Sequence, residues 1–239
     1  MKVFRILIVL IVLSTGFYSC TNKENRTRDN VIDSTLQVNV TSILEEKLSE
    51  INAQSGQVIV MEVQTGQIKA LVGLTKKDST NYQPCENFSI WQSTGLMHPI
   101  SLLAALETGK VKLSDKVDTG NGIYQVQGRE LKDHNWHRGG YGEITAQEGL
   151  AASSNIAIYK TMEKAFGDNP QTFFDLLANM SYGKPDSING IASLQPYKIT
   201  EKNITWNCIG YEQLISPIQV LTFYNAIANN GKMIQPQLY

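Results

Sequence analysis

The chain has 239 residues, a net charge of −1 and 42% hydrophobic residues. That length suits one domain, or one domain with a small extension, and the apolar content is sufficient for a packed core. The near-zero charge provides no electrostatic attraction for nucleic acid, so no nucleic-acid partner is expected.

Residues 1–20 are predicted to be a targeting segment. Lys2 and Arg5 precede an apolar run over residues 6–13, which is too short for a comfortable membrane span. The segment ends in the letters FYSC, which resemble a bacterial lipobox whose cysteine, Cys20, is lipidated and becomes the mature N-terminus. The alternative is ordinary secretory cleavage nearby. The protein is expected to be exported under either hypothesis. A lipid on Cys20 would anchor it to a membrane in the periplasm or cell envelope of a bacterium.

The chain after the targeting segment begins with a polar stretch over residues 21–30, which is predicted to be a tether. Residues 31–40 are mixed in character and could form a short strand or an arm. Residues 42–45 (SILE) match a capping box, which predicts the start of a helix. The side chains that this helix is expected to bury are Ile43, Leu44, Leu48 and Ile51.

A hairpin and a helix are predicted next. The strand-like stretches 57–63 and 67–72 are separated by a short turn and indicate a β-hairpin. Residues 92–107 are predicted to be a loop that leads into a helix, with Ser93 or Thr94 capping its first turn. Its apolar side chains recur at helical spacing and are expected to face a core: Leu96, Met97, Ile100, Leu103 and Leu106.

Further helices are indicated in the second half of the chain. A capping box at 145–148 opens a helix that residues 153–155 (SSN) interrupt and that resumes over 156–166. Pro170 suits the first position of another helix, and Ser216-Pro217 starts a last one by the same rule. The predicted apolar residues of these two helices are Phe173, Phe174, Leu177, Ile218, Leu221, Tyr224, Ile227 and Ala228.

Metal ligands and disulfides are weakly indicated. His134 and His137 could share a metal, but the adjacent glycines make a helix there unfavourable and no third ligand is evident, so a structural loop is the favoured interpretation. No metal and no cofactor are therefore expected. Cys85 and Cys208 could pair in an oxidising compartment, but two thiols so far apart in sequence do not require a disulfide.

Several stretches together resemble one known family. Residues 56–70 resemble the opening strands of the penicillin-binding protein transpeptidase domain. Residues 118–124, 132–136 and 209–231 are similar to its divisional class B branch. The likeness extends from about Val31 to the end of the sequence. It implies an α+β fold of the penicillin-binding protein and serine β-lactamase type, with helices packed on an antiparallel sheet, and a role related to peptidoglycan cross-linking and cell division.

The resemblance implies three catalytic motifs, and the first is degenerate here. In Ser-x-x-Lys the lysine takes the proton of the serine that attacks a D-Ala-D-Ala peptide or a β-lactam. Aligned on the helix that follows Pro99, the nucleophile position is Gly95 and the lysine position is His98. A shift of two residues brings Ser93 into register, but Leu96 then replaces the lysine.

The second motif is present and the third is absent from the sequence. Ser153 and Asn155 match Ser-x-Asn at the expected place, although the bare pattern also occurs at 79–81 and 187–189. No lysine precedes Thr-Gly or Ser-Gly, and the late strands that carry this motif in the family are missing. Residues 31–239 are therefore expected to form a partial, C-terminally truncated domain. Its hairpin would be marginal with an open edge unless helices or a partner cover it.

Two functions compete. The favoured hypothesis is a catalytically inactive, membrane-anchored lipoprotein that binds a peptidoglycan stem peptide or another envelope or division protein. The alternative is an active D,D-transpeptidase or carboxypeptidase with a rearranged site, in which Ser93 or Ser153 is the nucleophile and His98 the base.

Overall fold

The computed structural model divides into two compact units. The residues it describes are 7–14, 31–79, 81–85, 88, 94–191 and 194–239. The described parts of the first unit are 7–14, 31–79, 81–85, 88, 183–191, 194–197 and 215–239. The described parts of the second unit are 94–182 and 198–214. Among the helices described, none has the length and apolar character needed to cross a membrane.

The secondary structure of the described residues mixes helices with short strands. The helices are α1 (Ser34–Glu50), α2 (Met97–Glu107), α3 (Ala146–Ala151), α4 (Asn155–Phe166), α5 (Gln171–Asn179), α6 (Ile204–Asn207) and α7 (Pro217–Ala228). The strands are β1 (Leu7–Ser14), β2 (Ser55–Glu62), β3 (Ile68–Lys76), β4 (Tyr82–Pro84), β5 (Lys116–Asp118), β6 (Ile123–Val126), β7 (Arg129–Lys132), β8 (Glu143–Thr145), β9 (Lys198–Ile199) and β10 (Gln213–Leu214).

The first unit is built on an antiparallel sheet in the order β1-β2-β3-β4. The predicted hairpin is confirmed as β2 and β3, whose register shifts between Val60 and Met61. Side chains on both faces of β2 are buried, because α1 covers one face of the sheet and α7 packs against β2 as well. Asn225 of α7 donates through Nδ2 to the carbonyl oxygen of Val63 at 3.1 Å, which ties the helix to the hairpin turn.

Helix α1 starts earlier than predicted. The Asp33 carboxylate accepts the backbone N–H of Leu36 at 2.9 Å and caps the helix. The strand or arm predicted over 31–40 is therefore wrong, and so is the capping box at 42–45. The reason is the apolar spacing of four residues, which extends back from Leu48 through Leu44 to Val40 and Leu36 and packs all four on the sheet.

Two isoleucines expected in the core around α1 are exposed. The exposed fractions of Ile43 and Ile51 are 55% and 52%, whereas Leu44 and Leu48 are buried. Ile227 of α7 likewise lies outside the core, with 46% of its surface exposed. Helix α7 begins at Pro217 as predicted, and Ser216 and Gln219 also form a capping box that was not predicted from the sequence.

Strand β1 covers the edge of β2 that the sequence left open. Leu7 pairs with Glu62 and Ser14 with Ser55 in antiparallel register. This strand coincides with the apolar run of the predicted targeting segment. No strand had been predicted there from the sequence. The remainder of that segment, Cys20 included, and the whole predicted tether over residues 21–30 lie outside the described residues.

The second unit is a helical cluster with short β-ribbons. Helix α2 contacts α4, and the ribbons pair β5 with β8, β6 with β7, and β9 with β10. Helix α2 begins at Met97 after a 3-10 turn and has no side-chain cap, so the predicted cap by Thr94 is not formed. Ser93, the other predicted cap, lies outside the described residues. Leu103, expected in its core face, is 37% exposed. Cys208 is free and buried, so it does not pair with Cys85.

The later helices of the second unit agree well with the sequence. The capping box of α3 is formed between Thr145 and Glu148. Helix α5 buries Phe173, Phe174 and Leu177 as predicted, but it begins at Gln171, one residue after Pro170, which was predicted to be its first residue. Between α3 and α4 the chain makes a sharp turn at residues 153–155, and this turn is the centre of the candidate site.

Candidate functional site

The turn between α3 and α4 is held rigidly by a buried carboxylate. Ser153 has a left-handed backbone with φ of 52°, and Ser154 caps α4 by accepting the N–H of Ala157. The Ser154 hydroxyl also donates to Asp133 Oδ2 at 2.8 Å. Asp133 Oδ1 accepts the N–H of Ile156 at 3.0 Å, and Asp133 is fully buried. The position of Ser153 is therefore fixed by the chain on both sides of it.

His98 lies in the first turn of α2 and joins Ser153 to Asn155. Its ring is buried, with 2% of the residue exposed. The distance from His98 Nδ1 to Ser153 Oγ is 3.2 Å, and the distance from His98 Nε2 to Asn155 Oδ1 is 3.1 Å. The contacts arise because α2 packs against α4 and so brings together residues far apart in sequence.

The hydrogen bonds of Asn155 assign the proton of the imidazole. Asn155 Nδ2 donates to the carbonyl oxygen of Lys132 at 2.8 Å, so the amide oxygen is the atom that faces His98. An amide oxygen can only accept, so Nε2 of His98 carries the proton. Nδ1 is then unprotonated and accepts the hydroxyl proton of Ser153. Lys132, Asn155, His98 and Ser153 thus form one continuous relay of hydrogen bonds.

Burial keeps His98 neutral. Removal of the imidazole from water lowers the pKa of His98 to about 4, and its hydrogen bond to Asn155 offsets only part of this effect. The neutral form agrees with the proton assignment above. A lysine ammonium in this enclosed position would need a compensating negative partner, whereas the neutral imidazole needs none.

Gly95 lies next to Ser153 and places no side-chain atom there. A Cβ atom built on Gly95 would lie 3.3 Å from Ser153 Oγ and, its two chain neighbours aside, would meet no other atom of the described residues within 4 Å. Gly95 and Ser153 are both exposed, whereas His98 beneath them is buried. The site is therefore an exposed hydroxyl next to a glycine, above a buried and oriented imidazole.

The structure brings together four of the predicted site residues, namely Gly95, His98, Ser153 and Asn155. Ser93, the alternative nucleophile, and Cys20 lie outside the described residues. The roles of Asp133 and the Lys132 carbonyl were missed, although both lie in one of the stretches that carried the family resemblance. Their hydrogen bonds depend on how β7 lies against the start of α4, and this is not readable from residue types.

The two remaining histidines do not meet each other. His134 contacts the hydroxyl of Tyr141, with 3.1 Å from Nε2 to the oxygen, and His137 lies edge-on to Trp136 at 6.0 Å between ring centroids. Across the ranges described, there is no group of three or more histidine, cysteine or carboxylate side chains that could hold a metal ion.

Comparison with protein families gives one match over most of the chain. The model of the penicillin binding protein transpeptidase domain matches residues 56–239. The match contains every residue of the site described above.

Curated relatives are similar at low identity. The chain is 24% identical over 214 residues to the peptidoglycan D,D-transpeptidase FtsI of Escherichia coli strain K12, covering 84% of this chain and 35% of the relative. It is 24% identical over 239 residues to the FtsI homolog of Mesostigma viride, covering 87% of this chain and 38% of the relative. The chain therefore spans little more than a third of the length of these relatives.

Solved structures share the fold. The transpeptidase domain of penicillin-binding protein 3 from Burkholderia pseudomallei superposes with a TM-score of 0.69 at 22% identity, covering 90% of this chain and 62% of that one. A peptidoglycan glycosyltransferase from Burkholderia ambifaria gives the same TM-score and identity, covering 87% and 64%. The predicted α+β fold, with helices on an antiparallel sheet, is confirmed.

Proposed function

Because the chain belongs to the penicillin-binding protein transpeptidase domain family, we propose that it serves peptidoglycan synthesis and cell division as a binding protein that does not carry out the family's acyl transfer. Its partner is a peptidoglycan stem peptide or another envelope or division protein. The observation that supports this is Gly95, because the position aligned with the nucleophile offers no atom to acylate.

The position aligned with the catalytic lysine supports the same proposal. His98 is held between Ser153 and Asn155 by two hydrogen bonds, and its pKa is lowered to about 4 by burial. When a D-Ala-D-Ala amide is cleaved, one group must first take the proton of the serine and then give a proton to the departing amine. That group must therefore be an effective base. A buried imidazole with so low a pKa is a weak base, so a D,D-transpeptidase that uses Ser153 and His98 is the less favoured alternative.

Attachment at the envelope is part of this proposal. The lipobox-like FYSC stretch places Cys20 where lipidation would anchor the chain to a membrane surface. An anchored domain without acyl transfer would hold a stem peptide or a division protein at the site of wall synthesis.

A labelling experiment tests the loss of family chemistry. The purified protein is incubated with a fluorescent penicillin, denatured, and resolved by gel electrophoresis beside a Gly95→Ser/His98→Lys double variant. No fluorescent band is expected from the unaltered protein, because no serine occupies position 95. A band that survives denaturation of the unaltered protein would overturn the proposal. Equal folding of the two proteins is checked by circular dichroism.

A further inference from the structure

We propose that Ser153 is the nucleophile of an acyl-transfer site that accepts small activated esters, with His98 as its base and Asn155 as the positioning residue of that base. This activity goes beyond the proposed binding function, since it uses a different nucleophile and a different class of substrate. It follows from the contacts of the 153–155 turn with α2.

Ser153 has the access and geometry of a nucleophile. Its side chain is exposed, and its hydroxyl oxygen lies 3.2 Å from a buried imidazole nitrogen. A left-handed φ of 52° is uncommon for a serine, and here the turn is maintained by the buried Asp133. A serine nucleophile is activated when its hydroxyl hydrogen-bonds to a histidine nitrogen and a third group orients that histidine.

Asn155 supplies the third group. Its amide oxygen accepts the hydrogen bond from His98 Nε2 at 3.1 Å, and its amide nitrogen donates to the carbonyl oxygen of Lys132 at 2.8 Å. These bonds direct the free Nδ1 lone pair of His98 towards Ser153. An asparagine in this place orients the imidazole but adds no negative charge to stabilise the imidazolium.

The substrate carbonyl has a place beside Gly95. The position that a Cβ of residue 95 would take is 3.3 Å from Ser153 Oγ, and among the described residues beyond the two chain neighbours no other atom lies within 4 Å of it. Reacting atoms in near-attack geometry are about 3–3.5 Å apart, so a carbonyl carbon in this position is correctly placed for attack. Loss of a side chain at position 95 thus creates the space in which the neighbouring serine can act.

The basicity of His98 restricts the class of substrate. Burial lowers its pKa to about 4, so it accepts the serine proton only weakly. A phenolate or similar leaving group departs without being protonated, whereas an amine does not. Activated esters with small acyl groups therefore fit the site, and the amide bonds of peptides do not.

The chemical steps balance with water as the only co-reactant. Ser153 Oγ attacks the carbonyl carbon while its proton passes to His98 Nδ1, and the ester carbon–oxygen bond breaks to release the phenolate. The imidazolium then loses its proton to solvent. Water attacks the acyl-serine, His98 Nδ1 takes one water proton, and Ser153 Oγ leaves with that proton as the free acid is formed.

The test uses p-nitrophenyl acetate and the full-length protein. A burst of p-nitrophenolate close to one equivalent is expected, with one acetyl group mapped to Ser153 by mass spectrometry of peptides. Ser153→Ala is expected to lower the burst rate by roughly 100-fold, within the range for loss of a positioned catalytic group. The matched control is Ser187→Ala, which removes the exposed serine of another Ser-x-Asn sequence and should leave the rate unchanged. Equal rates for the unaltered protein and Ser153→Ala, or acetylation elsewhere, would overturn the proposal.

Two further variants separate chemistry from structure. Gly95→Ala fills the substrate space at a position whose backbone accepts alanine, so a slower burst with unchanged circular dichroism is expected. The burst rate of the unaltered protein should be constant from about pH 7 to 5, because a base with a pKa near 4 stays unprotonated there. Asn155→Ala should slow the burst and change this pH profile. A steep fall in rate between pH 7 and 5 in the unaltered protein would contradict the role of His98.

The outcomes are independent of the proposed binding function. Labelling by penicillin would overturn the binding proposal and leave the ester reaction untouched. Absence of the acetyl adduct would overturn the ester reaction and leave the binding proposal unaffected.

Discussion

His98 shows how burial changes the chemistry of a single residue. An imidazole in water titrates near neutrality, but His98 is 2% exposed and its pKa is lowered to about 4 by desolvation. It is therefore neutral under ordinary conditions and acts as a hydrogen-bonding bridge between Ser153 and Asn155. The neighbouring Gly95 matters for a different reason, because it has no side-chain atom that could be acylated.

The lowered pKa predicts a dependence of stability on pH. Between about pH 6.5 and 4 the unfolded chain binds a proton at His98 more readily than the folded protein does, so the free energy of unfolding falls as the pH falls. The full loss is about 3 kcal/mol, since each pKa unit corresponds to about 1.4 kcal/mol. Urea unfolding at pH 7 and pH 4.5 measures it. His98→Gln should show a smaller decrease, and parallel curves for the two proteins would contradict the prediction.

Asp133 is predicted to be a major stabilising residue of the site. Asp133→Ala removes the acceptor of the Ser154 hydroxyl and of the Ile156 N–H, both of which are buried. Unsatisfied donors of this kind cost about 1–3 kcal/mol each, so we expect a loss of roughly 2–6 kcal/mol in urea unfolding. Asp168→Ala, at a side chain that is 97% exposed, serves as the control and should change stability little. Similar losses for both variants would contradict this role.

Among the secondary-structure elements, the contact between α3 and α4 positions the site. Gly149 of α3 lies against Ala157 of α4, and a Cβ on Gly149 would be 2.4 Å from the Ala157 Cβ. The two short helices therefore approach closely enough to make the tight 153–155 turn possible. The hydrogen-bonded capping box at Thr145 fixes where α3 begins, and Ser154 fixes where α4 begins.

Gly149→Ala tests this helix contact. Alanine favours a helix over glycine by about 1 kcal/mol, yet we expect a net loss of roughly 1–3 kcal/mol because the added methyl group forces the helices apart. The change should be measured by thermal unfolding and by the burst rate with p-nitrophenyl acetate. Gln147→Ala, an exposed change in the same helix, is the control. If Gly149→Ala were as stable as that control, the close packing would be disproved.

For the molecule as a whole, the amino-terminal segment has two possible roles. Its apolar run forms β1 and covers the edge of β2 that would otherwise present unpaired backbone groups. The same run is predicted from sequence to direct export, with Cys20 as the lipidated residue. These roles exclude each other after cleavage, since a processed chain no longer carries β1.

Lipidation predicts a change in cell fractionation. Cys20→Ser should abolish labelling with a radioactive fatty acid and move the protein from the membrane fraction to the soluble exported fraction, because the acyl chain provides the anchor. Ser19→Ala keeps a small residue before the cysteine and should leave both properties unchanged. Continued fatty-acid labelling of Cys20→Ser would show that the anchor lies elsewhere.

The sequence by itself determined the local features of this protein. The β2–β3 hairpin and the caps at Thr145 and Ser216 followed from short patterns, because such features depend on neighbours a few residues apart. Positions 95, 98, 153 and 155 were singled out by the family resemblance. The family also followed, since its motifs keep their order along the chain. The start of α1 did not, because the packing of Leu36 and Val40 on the sheet prevails over a nearby capping pattern.

Only the tertiary structure decided what the site residues do to one another. The bonds of His98 to Ser153 and Asn155 span 55 and 57 residues of sequence, and they exist because α2 packs on α4. The buried Asp133 and the Lys132 carbonyl reach the same turn from β7 and its following loop. Burial, hydrogen-bond direction and the empty space beside Gly95 are properties of atoms that the fold brings together. They hold the degenerate positions of the family motif in a defined arrangement of imidazole, hydroxyl and glycine.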